Sequence, residues 1–298
     1  MIFEGMRVGV LPGDFTISAD ESGAADARLI LSTAYNVLPI WLRIASDNLK
    51  AAKNASDSIG QKWGLDEGAN RELLIAELEA SLQVFVACGI ALDALYDQLR
   101  PYAKISEEEL ERWRKNQTSR AAQIAEVARR VFRLNNELST AFKRNISGII
   151  KMRDDAVHPS LKLRNACTRP DIPVGVDWKF VAYRYSNSRT CFESTMQMLI
   201  YLYENKCGEP CVDEQLENVF KALLELGVVQ LTSPAATSNS PIRGQVKFPH
   251  LRRRDGWMVT RCRRASQLAP RLRAVASSCP RTSADARGAS AGRAAVSR

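Results

Sequence analysis

The chain has 298 residues, of which 45% are hydrophobic, so it is long enough to bury a sizeable core without a disulfide scaffold. Its seven cysteines are odd in number and scattered, which fits a reducing compartment. The formal net charge of +9 is unevenly distributed, because residues 243–298 contain 14 Lys/Arg against 2 Asp/Glu, whereas residues 1–242 contain 28 against 31. The basic character therefore belongs to the C-terminal segment and not to the rest of the chain.

The sequence predicts neither a secretory signal nor a membrane span. Its first residues mix Glu4, Arg7 and Asp14 with apolar residues, instead of placing basic residues before an apolar block. The longest uninterrupted apolar run, Val84–Leu92, is much shorter than the roughly 20 residues that a spanning helix needs. We therefore expect a cytoplasmic protein without a membrane partner.

Residues 1–20 are predicted to form an N-terminal arm or a short hairpin. Two short apolar stretches, Val8–Leu11 and Phe15–Ile17, flank the turn-forming pair Pro12 and Gly13. A hairpin in this segment would turn at that pair.

Residues 21–230 are predicted to fold as an antiparallel helical bundle. Apolar residues recur there at spacings of three and four, which is the period of a helix with one buried face. Ser106 and Glu109 have the spacing of a capping box, and Gly227 is in a C-terminal cap position. The predicted helices cover about 24–55 with a kink at Pro39, 71–99, 106–133, 136–153, 189–204 and 213–226, and a short strand is predicted over 177–185. The predicted fold class is mainly α.

Residues 231–298 differ from the rest of the chain in composition. Arg, Ala and Ser dominate, Glu is absent, and no apolar period is sustained. We expect a disordered basic tail, which is either an arm that contacts nucleic-acid phosphates or an appendage without a role in the fold.

The chemistry of the sequence is concentrated in the run Arg153-Asp154-Asp155-Ala156-Val157-His158-Pro159. The chain has only two histidines, and the other, His250, lies in the predicted tail. Because proline disfavours a helical conformation in the residue before it, the helix should end at or before His158. A break there would let the imidazole fold back toward Arg153, with Asp154 available to orient either group.

Arginine and histidine together suit the cleavage of RNA. The planar guanidinium of arginine holds two phosphate oxygens and keeps its charge. Histidine, with an unperturbed pKa of about 6.5, can take a proton from a hydroxyl and return one to a leaving oxygen. The expected reaction is transesterification by the neighbouring 2′-hydroxyl, and neither a metal nor a cofactor is predicted.

Basic residues surround this run. Between Lys143 and Arg169 there are seven Lys/Arg and two Asp. This local positive charge lies within a slightly acidic region, and it suits contacts to phosphates. The predicted RNA-binding residues are Lys143, Arg144, Lys151, Lys162 and Arg164.

The spacing Arg153-x4-His158, with the polar Asp154 directly after the arginine, resembles the motif of the HEPN superfamily. The resemblance spans about residues 24–227, and its specific part is the motif. It implies an all-α bundle that pairs as a homodimer, with Arg153 and His158 of both subunits lining one cleft and Asp154 as the orienting residue. Many members are metal-independent endoribonucleases that act as toxins or in phage defence. The resemblance therefore also implies RNA as the substrate and, for a toxin, a separate antitoxin protein as a partner.

Two other interpretations remain open. Some members of the superfamily have lost activity, so the chain could be a catalytically inactive helical module that binds RNA or protein. Alternatively, the motif is only a helix end, because basic residues are favoured in the last turn of a helix and His-Pro is an ordinary stop. Cleavage would need His158, binding would depend on Arg153 and the nearby lysines, and a simple helix end would need neither except for stability.

Overall fold

A computed structural model describes residues 6–158, 160–231 and 246–247 of the chain. These residues lie within one compact unit and are mainly helical, which confirms the predicted fold class. The helices are α1 (Leu38–Lys62), α2 (Glu67–Leu99), α3 (Glu107–Lys115), α4 (Arg120–Val131), α5 (Asn136–Val157), α6 (Trp178–Ala182), α7 (Tyr185–Glu204) and α8 (Pro210–Glu225). The strands are β1 (Met6–Gly9), β2 (Phe15–Ala19), β3 (Ala25–Leu29), β4 (Ser32–Tyr35), β5 (Cys167–Thr168), β6 (Gly175–Val176), β7 (Gln230–Leu231) and β8 (Val246–Lys247).

Helix α2 is the centre of the fold. It has 33 residues and packs against α1, α4, α5 and α7. Its buried residues include consecutive positions such as Val84–Phe85, Ala87–Gly89 and Ala91–Leu92, so they surround the helix instead of forming one stripe. The Asp66 carboxylate starts the helix by accepting hydrogen bonds from the Gly68 and Ala69 amides.

The same helix bears on the membrane prediction, which remains a prediction. Within the part of the chain that the structure describes, one stretch, Glu67–Tyr102, is long and apolar enough to cross a membrane by length and composition. Half of its most apolar segment is buried within the fold. The prediction counted uninterrupted apolar residues and therefore missed this stretch, which Asp93 and Asp97 interrupt. A core helix that is surrounded by other helices has the same composition.

Residues 6–35 form a two-stranded β-ribbon, which we call the ribbon. Strand β1 pairs antiparallel with β4, and β2 pairs antiparallel with β3. The predicted hairpin at Pro12 and Gly13 is therefore wrong, and so is the start of the first helix at about residue 24. Helix α1 begins at Leu38 instead, with Pro39 in its first turn, where a proline costs no hydrogen bond and causes no kink.

The turn of the ribbon is at residues 20–24. The Asp20 carboxylate accepts hydrogen bonds from the Ser22 and Ala24 amides, and Gly23 has a φ of 82° that favours glycine. Pro12 and Gly13 form only a local turn between β1 and β2, in which the Asp14 amide donates to the Leu11 carbonyl. The side chain of an aspartate, and not the Pro-Gly pair, therefore sets the strand pairing.

Other predicted elements differ in their bounds. The predicted helix over 106–133 is divided into α3 and α4, with Gln117 at a φ of 49° between them. One half of the predicted capping box is confirmed, since the Ser106 hydroxyl accepts from the Glu109 amide at 3.3 Å. The Glu109 carboxylate accepts from Arg130 of α4. The strand predicted over 177–185 is wrong, because Asp177 caps the short helix α6. Gly227 follows α8 with a φ of 67°, which confirms the predicted cap.

The predicted tail, residues 231–298, lies outside the described residues except for Leu231 and the two residues of β8. Strand β8 pairs antiparallel with β7, and Gln230 lies opposite Lys247. The prediction that the tail has no structure therefore remains a prediction.

Two cysteines are buried where α2 meets α7. Cys88 and Cys191 are both free thiols with no exposed surface. Burial raises the pKa of the Cys191 thiol, and the neighbouring Cys88 thiol raises it further. Both therefore behave as small hydrophobic residues of the core.

Candidate functional site

The motif lies at the end of α5, as its proline predicts. The helix runs through Val157, and His158 follows with φ −121° and ψ 64°. The His158 amide donates to the Asp154 carbonyl at 2.9 Å, which closes the last turn. The prediction that the helix ends at or before His158 is confirmed, although Pro159 itself is not among the described residues.

Arg153 is on the buried face of α5. It follows Ile146 by seven residues, or two helical turns, and Ile146 is buried in the core. Its side chain is 17% exposed and crosses α2 at Gly89. A Cβ at Gly89 would lie 2.7 Å from the Cδ of Arg153 and 3.1 Å from its Cβ. The arginine therefore fits here only because position 89 has no side chain.

Two carboxylates hold the guanidinium. The Nε and Nη2 atoms of Arg153 donate to Oδ1 of Asp154 at 3.0 and 2.9 Å, and Nη1 donates to Asp93 of α2. Burial alone would lower the pKa of Arg153, but the two carboxylates more than offset it, so the pKa lies above its ordinary value. Asp154 thus orients the arginine, which is one of the two roles predicted for it.

Asp93 also binds a second arginine. Its Oδ1 accepts from Nε of Arg120, at the start of α4, at 2.7 Å. The Arg120 guanidinium lies 3.7 Å from the centre of the Tyr96 ring and reaches Asp97 at 3.4 Å. A line of alternating charges therefore connects Arg153 to Asp97 and joins α5, α2 and α4.

The imidazole of His158 is exposed. Its side chain makes no hydrogen bond or ion pair within residues 6–158 and 160–231, and the Asp155 carboxylate pairs with Lys151 at 3.2 Å instead. Five residues along a helix correspond to about 140° around its axis and roughly 7.5 Å along it, so Arg153 and His158 project differently from the helix. One copy of the chain shows no contact that brings the two groups together.

The predicted RNA-binding residues do not form one face with Arg153. Lys143, Arg144 and Lys151 are all exposed on α5. Arg144 and Lys151 are nine and two positions from Arg153, which places them about 180° and 160° around the helix from it. Arg144 and Lys151 define an outer basic face, whereas Lys143, ten positions from Arg153, lies about 80° around the helix from it. Lys162 is exposed in the segment after the motif.

Arg164 is exposed in the same segment, and it lies beside an aromatic ring. Its guanidinium is 4.3 Å from the centre of the Trp178 ring, and Lys179 is 5.6 Å from the same ring. The arginine covers one face of the indole by a cation–π contact. This pair is separate from the outer basic face of α5.

One basic residue counted around the motif is not on the surface at all. Arg169 is buried, and its Nη1 donates to Glu77 of α2 at 2.7 Å, in an ion pair whose two side chains are each 1% exposed. It also donates to Asp171 and to the Phe180 carbonyl. Arg169 therefore fixes the segment after the motif to α2, and it cannot contact RNA in this conformation.

The residues that position Arg153 were not among those predicted from the sequence. Gly89 is an isolated glycine inside a long helix, which is a sign of close packing. Asp93 interrupts an apolar segment of the same helix, and a charged residue at such a position requires a partner. Tyr183 is also buried at this site, where its hydroxyl donates to the Met152 carbonyl at 2.9 Å and its ring meets Phe85 edge to face.

A pocket of about 380 Å³ is present at the other end of this network. Its lining is Asp97, Arg100, Pro101, Lys104, Ile105, Glu107 and Leu110. It contains no residue of the motif. In the described part of the chain, no three His, Cys, Asp or Glu side chains come together as a group that could hold a metal ion.

Comparison of the chain with protein-family models, with curated proteins and with solved structures found no match. The resemblance to the HEPN superfamily therefore depends on the motif residues and on the mainly helical fold.

Proposed function

We propose that the protein is a metal-independent endoribonuclease of the HEPN type, built as a helical bundle, in which two copies form one composite site. One observation carries the proposal. The guanidinium of Arg153 is held in a fixed position at the end of α5, and an exposed imidazole, which makes no hydrogen bond or ion pair with the described residues, follows five residues later. A fixed phosphate-binding group and an available acid–base group are what this chemistry requires, and the second copy would bring the two together.

The reaction needs two proton transfers. A general base takes the proton of the 2′-hydroxyl, O2′ bonds to phosphorus, the P–O5′ bond breaks, and O5′ takes a proton from a general acid. The products are a 2′,3′-cyclic phosphate and a 5′-hydroxyl. His158 is the one histidine among the described residues, so two copies are needed if histidine performs both steps. His158 of one copy would act as the base and His158 of the other as the acid.

Arg153 keeps donors for the phosphate. A guanidinium has five N–H groups, and the contacts to Asp154 and Asp93 use three of them. Two remain for the oxygens of the scissile phosphate. The line from Asp154 to Asp97 contains two arginines and three aspartates and carries a net charge of −1. Phosphate binding would therefore depend on the position of the Arg153 donors and not on net charge.

The experiment is cleavage of a defined RNA pool by the purified chain in the presence of EDTA, with analysis of the product ends. We expect wild type and His250→Ala to cut and leave 2′,3′-cyclic phosphates, and His158→Ala to lose activity at least 100-fold, in line with the roughly 10² to 10⁴ of general acid–base catalysis. His250 is the matched control because it is the only other histidine of the sequence. Equal cleavage by wild type and His158→Ala would refute the proposal.

A second function is favoured by one observation. Arg144 and Lys151 are exposed on the side of α5 opposite Arg153, so they would hold an RNA strand without presenting it to the motif. We therefore propose as the alternative a helical module that binds RNA without cleaving it. In that case Arg144→Ala lowers RNA affinity, His158→Ala leaves it unchanged, and no cyclic-phosphate ends form. If the nuclease acts as a toxin and not as a phage-defence effector, we propose that a separate antitoxin protein neutralises it.

A further inference from the structure

The ribbon has one apolar and one polar face. Across β2 and β3, Phe15 lies opposite Leu29, Ile17 opposite Ala27 and Ala19 opposite Ala25. The alternate pairs are Thr16 with Arg28 and Ser18 with Asp26. Opposite residues of an antiparallel pair project to the same side, so the first three pairs form an apolar face. Every residue of both strands is exposed.

Both edges of this strand pair are open. The Ile30 amide donates to the Asp14 carbonyl and the Asp20 amide donates to the Ala24 carbonyl, so even-numbered residues direct their backbone groups into the pair. The odd residues of β3, Ala25, Ala27 and Leu29, direct theirs outward. An isolated two-stranded ribbon is marginally stable, and an exposed edge with unpaired amides favours the addition of another strand.

The outer edge of β3 is complementary to itself. When two copies meet antiparallel about a twofold axis at Ala27, Ala27 lies opposite its equivalent and Ala25 lies opposite Leu29 of the second copy. All outward backbone groups of β3 are then paired. The same register places Asp26 opposite Arg28 of the second copy, twice per dimer, at non-hydrogen-bonded positions, where Cα atoms are about 4.5 Å apart and side chains are closest.

The charges favour a second copy as the occupant. Within the described residues neither Asp26 nor Arg28 has a recorded ion pair, and both lie on the polar face of the ribbon. The equivalent pairing through β2, about Ile17, would place Thr16 opposite Ser18 and would gain no ion pair. We propose that two copies of the chain associate through β3 and form a four-stranded sheet in the order β2, β3, β3, β2. This pairing does not depend on the proposed nuclease function.

The test measures the mass of the full chain in solution by sedimentation equilibrium over a range of concentrations. Ala27→Pro removes an outward amide at the twofold axis, and Ala19→Pro removes an outward amide on the opposite edge, so the two variants are matched. We expect wild type and Ala19→Pro to show an association step that Ala27→Pro lacks.

Charge exchange provides a second test that does not involve proline. Asp26→Arg places two like-charged pairs in the interface and should weaken association by roughly 30-fold, from pair energies of a few tenths of a kcal/mol to 1 kcal/mol on each side. Arg28→Asp should do the same, and the double variant should recover the wild-type association.

Several results would overturn the pairing. They are a monomeric wild type, an Ala27→Pro variant that associates like wild type, and an Ala19→Pro variant that dissociates as Ala27→Pro does. A double charge variant that stays as weak as the single variants would also overturn it. His158→Ala should associate like wild type, so failure of the nuclease proposal is distinguishable from failure of this one.

Discussion

Gly89→Ala tests whether the close approach of α2 and α5 holds Arg153 in place. The new Cβ would lie 2.7 Å from the Cδ of Arg153 and 3.1 Å from both its Cβ and Cγ, so the side chain or the helix must move. Overpacking of this kind costs about 1–3 kcal/mol, and the better helix propensity of alanine returns about 1 kcal/mol. We expect a net loss of about 1 kcal/mol in the free energy of unfolding.

Gly60→Ala is the matched control for this change. Gly60 is in α1, and a Cβ there would meet no atom within 4 Å. The same substitution should therefore stabilise the protein by about 0.5–1 kcal/mol through helix propensity alone. Urea unfolding of both variants, followed by circular dichroism, measures the difference. If Gly89→Ala is as stable as Gly60→Ala, the contact with Arg153 does not constrain the packing.

Three further changes test the contacts around the site. Arg169→Met leaves a buried carboxylate without its partner, and urea unfolding should show a loss of about 3–5 kcal/mol. The side chains of Arg129 and Arg130 hold the pKa of Glu126 at about 2, below its ordinary value of 4.5. The ionised Glu126 therefore stabilises the fold above pH 4.5, and this stabilisation is lost as the pH falls towards 2. Glu126→Gln should remove about 1–2 kcal/mol of that acid dependence, after allowance for solvent screening. Tyr183→Phe removes the hydrogen bond to the Met152 carbonyl of α5 and should cost about 1 kcal/mol in urea unfolding.

Each of these changes has a result that would contradict it. Arg164→Met, at an exposed position, is the control for Arg169→Met and should cost less than about 1 kcal/mol. Equal losses in the two variants would remove the distinction between the buried and the exposed arginine. An acid-unfolding curve of Glu126→Gln as steep as that of wild type, or a Tyr183→Phe variant with unchanged stability, would show that the contact in question contributes nothing measurable.

Local patterns predicted the helices whose ends are determined by nearby residues. Helix α5 begins after Asn135, whose side chain accepts from the Leu138 amide, and it ends beside a proline, so both ends are encoded within a few residues. The ribbon was missed because β1 pairs with β4, more than twenty residues away. The strand predicted over 177–185 was wrong because the Asp177 carboxylate accepts from the Lys179 amide, and this cap favours a helical turn.

The candidate site was predictable only in part, for the same reason. The spacing of Arg153 and His158 and the end of α5 follow from adjacent residues. The partners of Arg153 do not, because Asp93 is 60 residues earlier in the chain and meets it only when α2 and α5 pack. The count of basic residues around the motif included Arg169, since composition does not distinguish a surface arginine from one paired with a buried glutamate.

The reactivity of the two buried cysteines reports the local separation of α2 and α7. Cys88 and Cys191 have no exposed surface, whereas Cys211 is exposed on α8. A thiol reagent therefore reacts with Cys211 directly, and with the buried pair only when α2 and α7 separate. When reclosing is faster than modification, the rate of labelling gives the free energy of that opening, residue by residue, in the unmodified protein. The free energy for separating two core helices can thus be measured without an introduced probe.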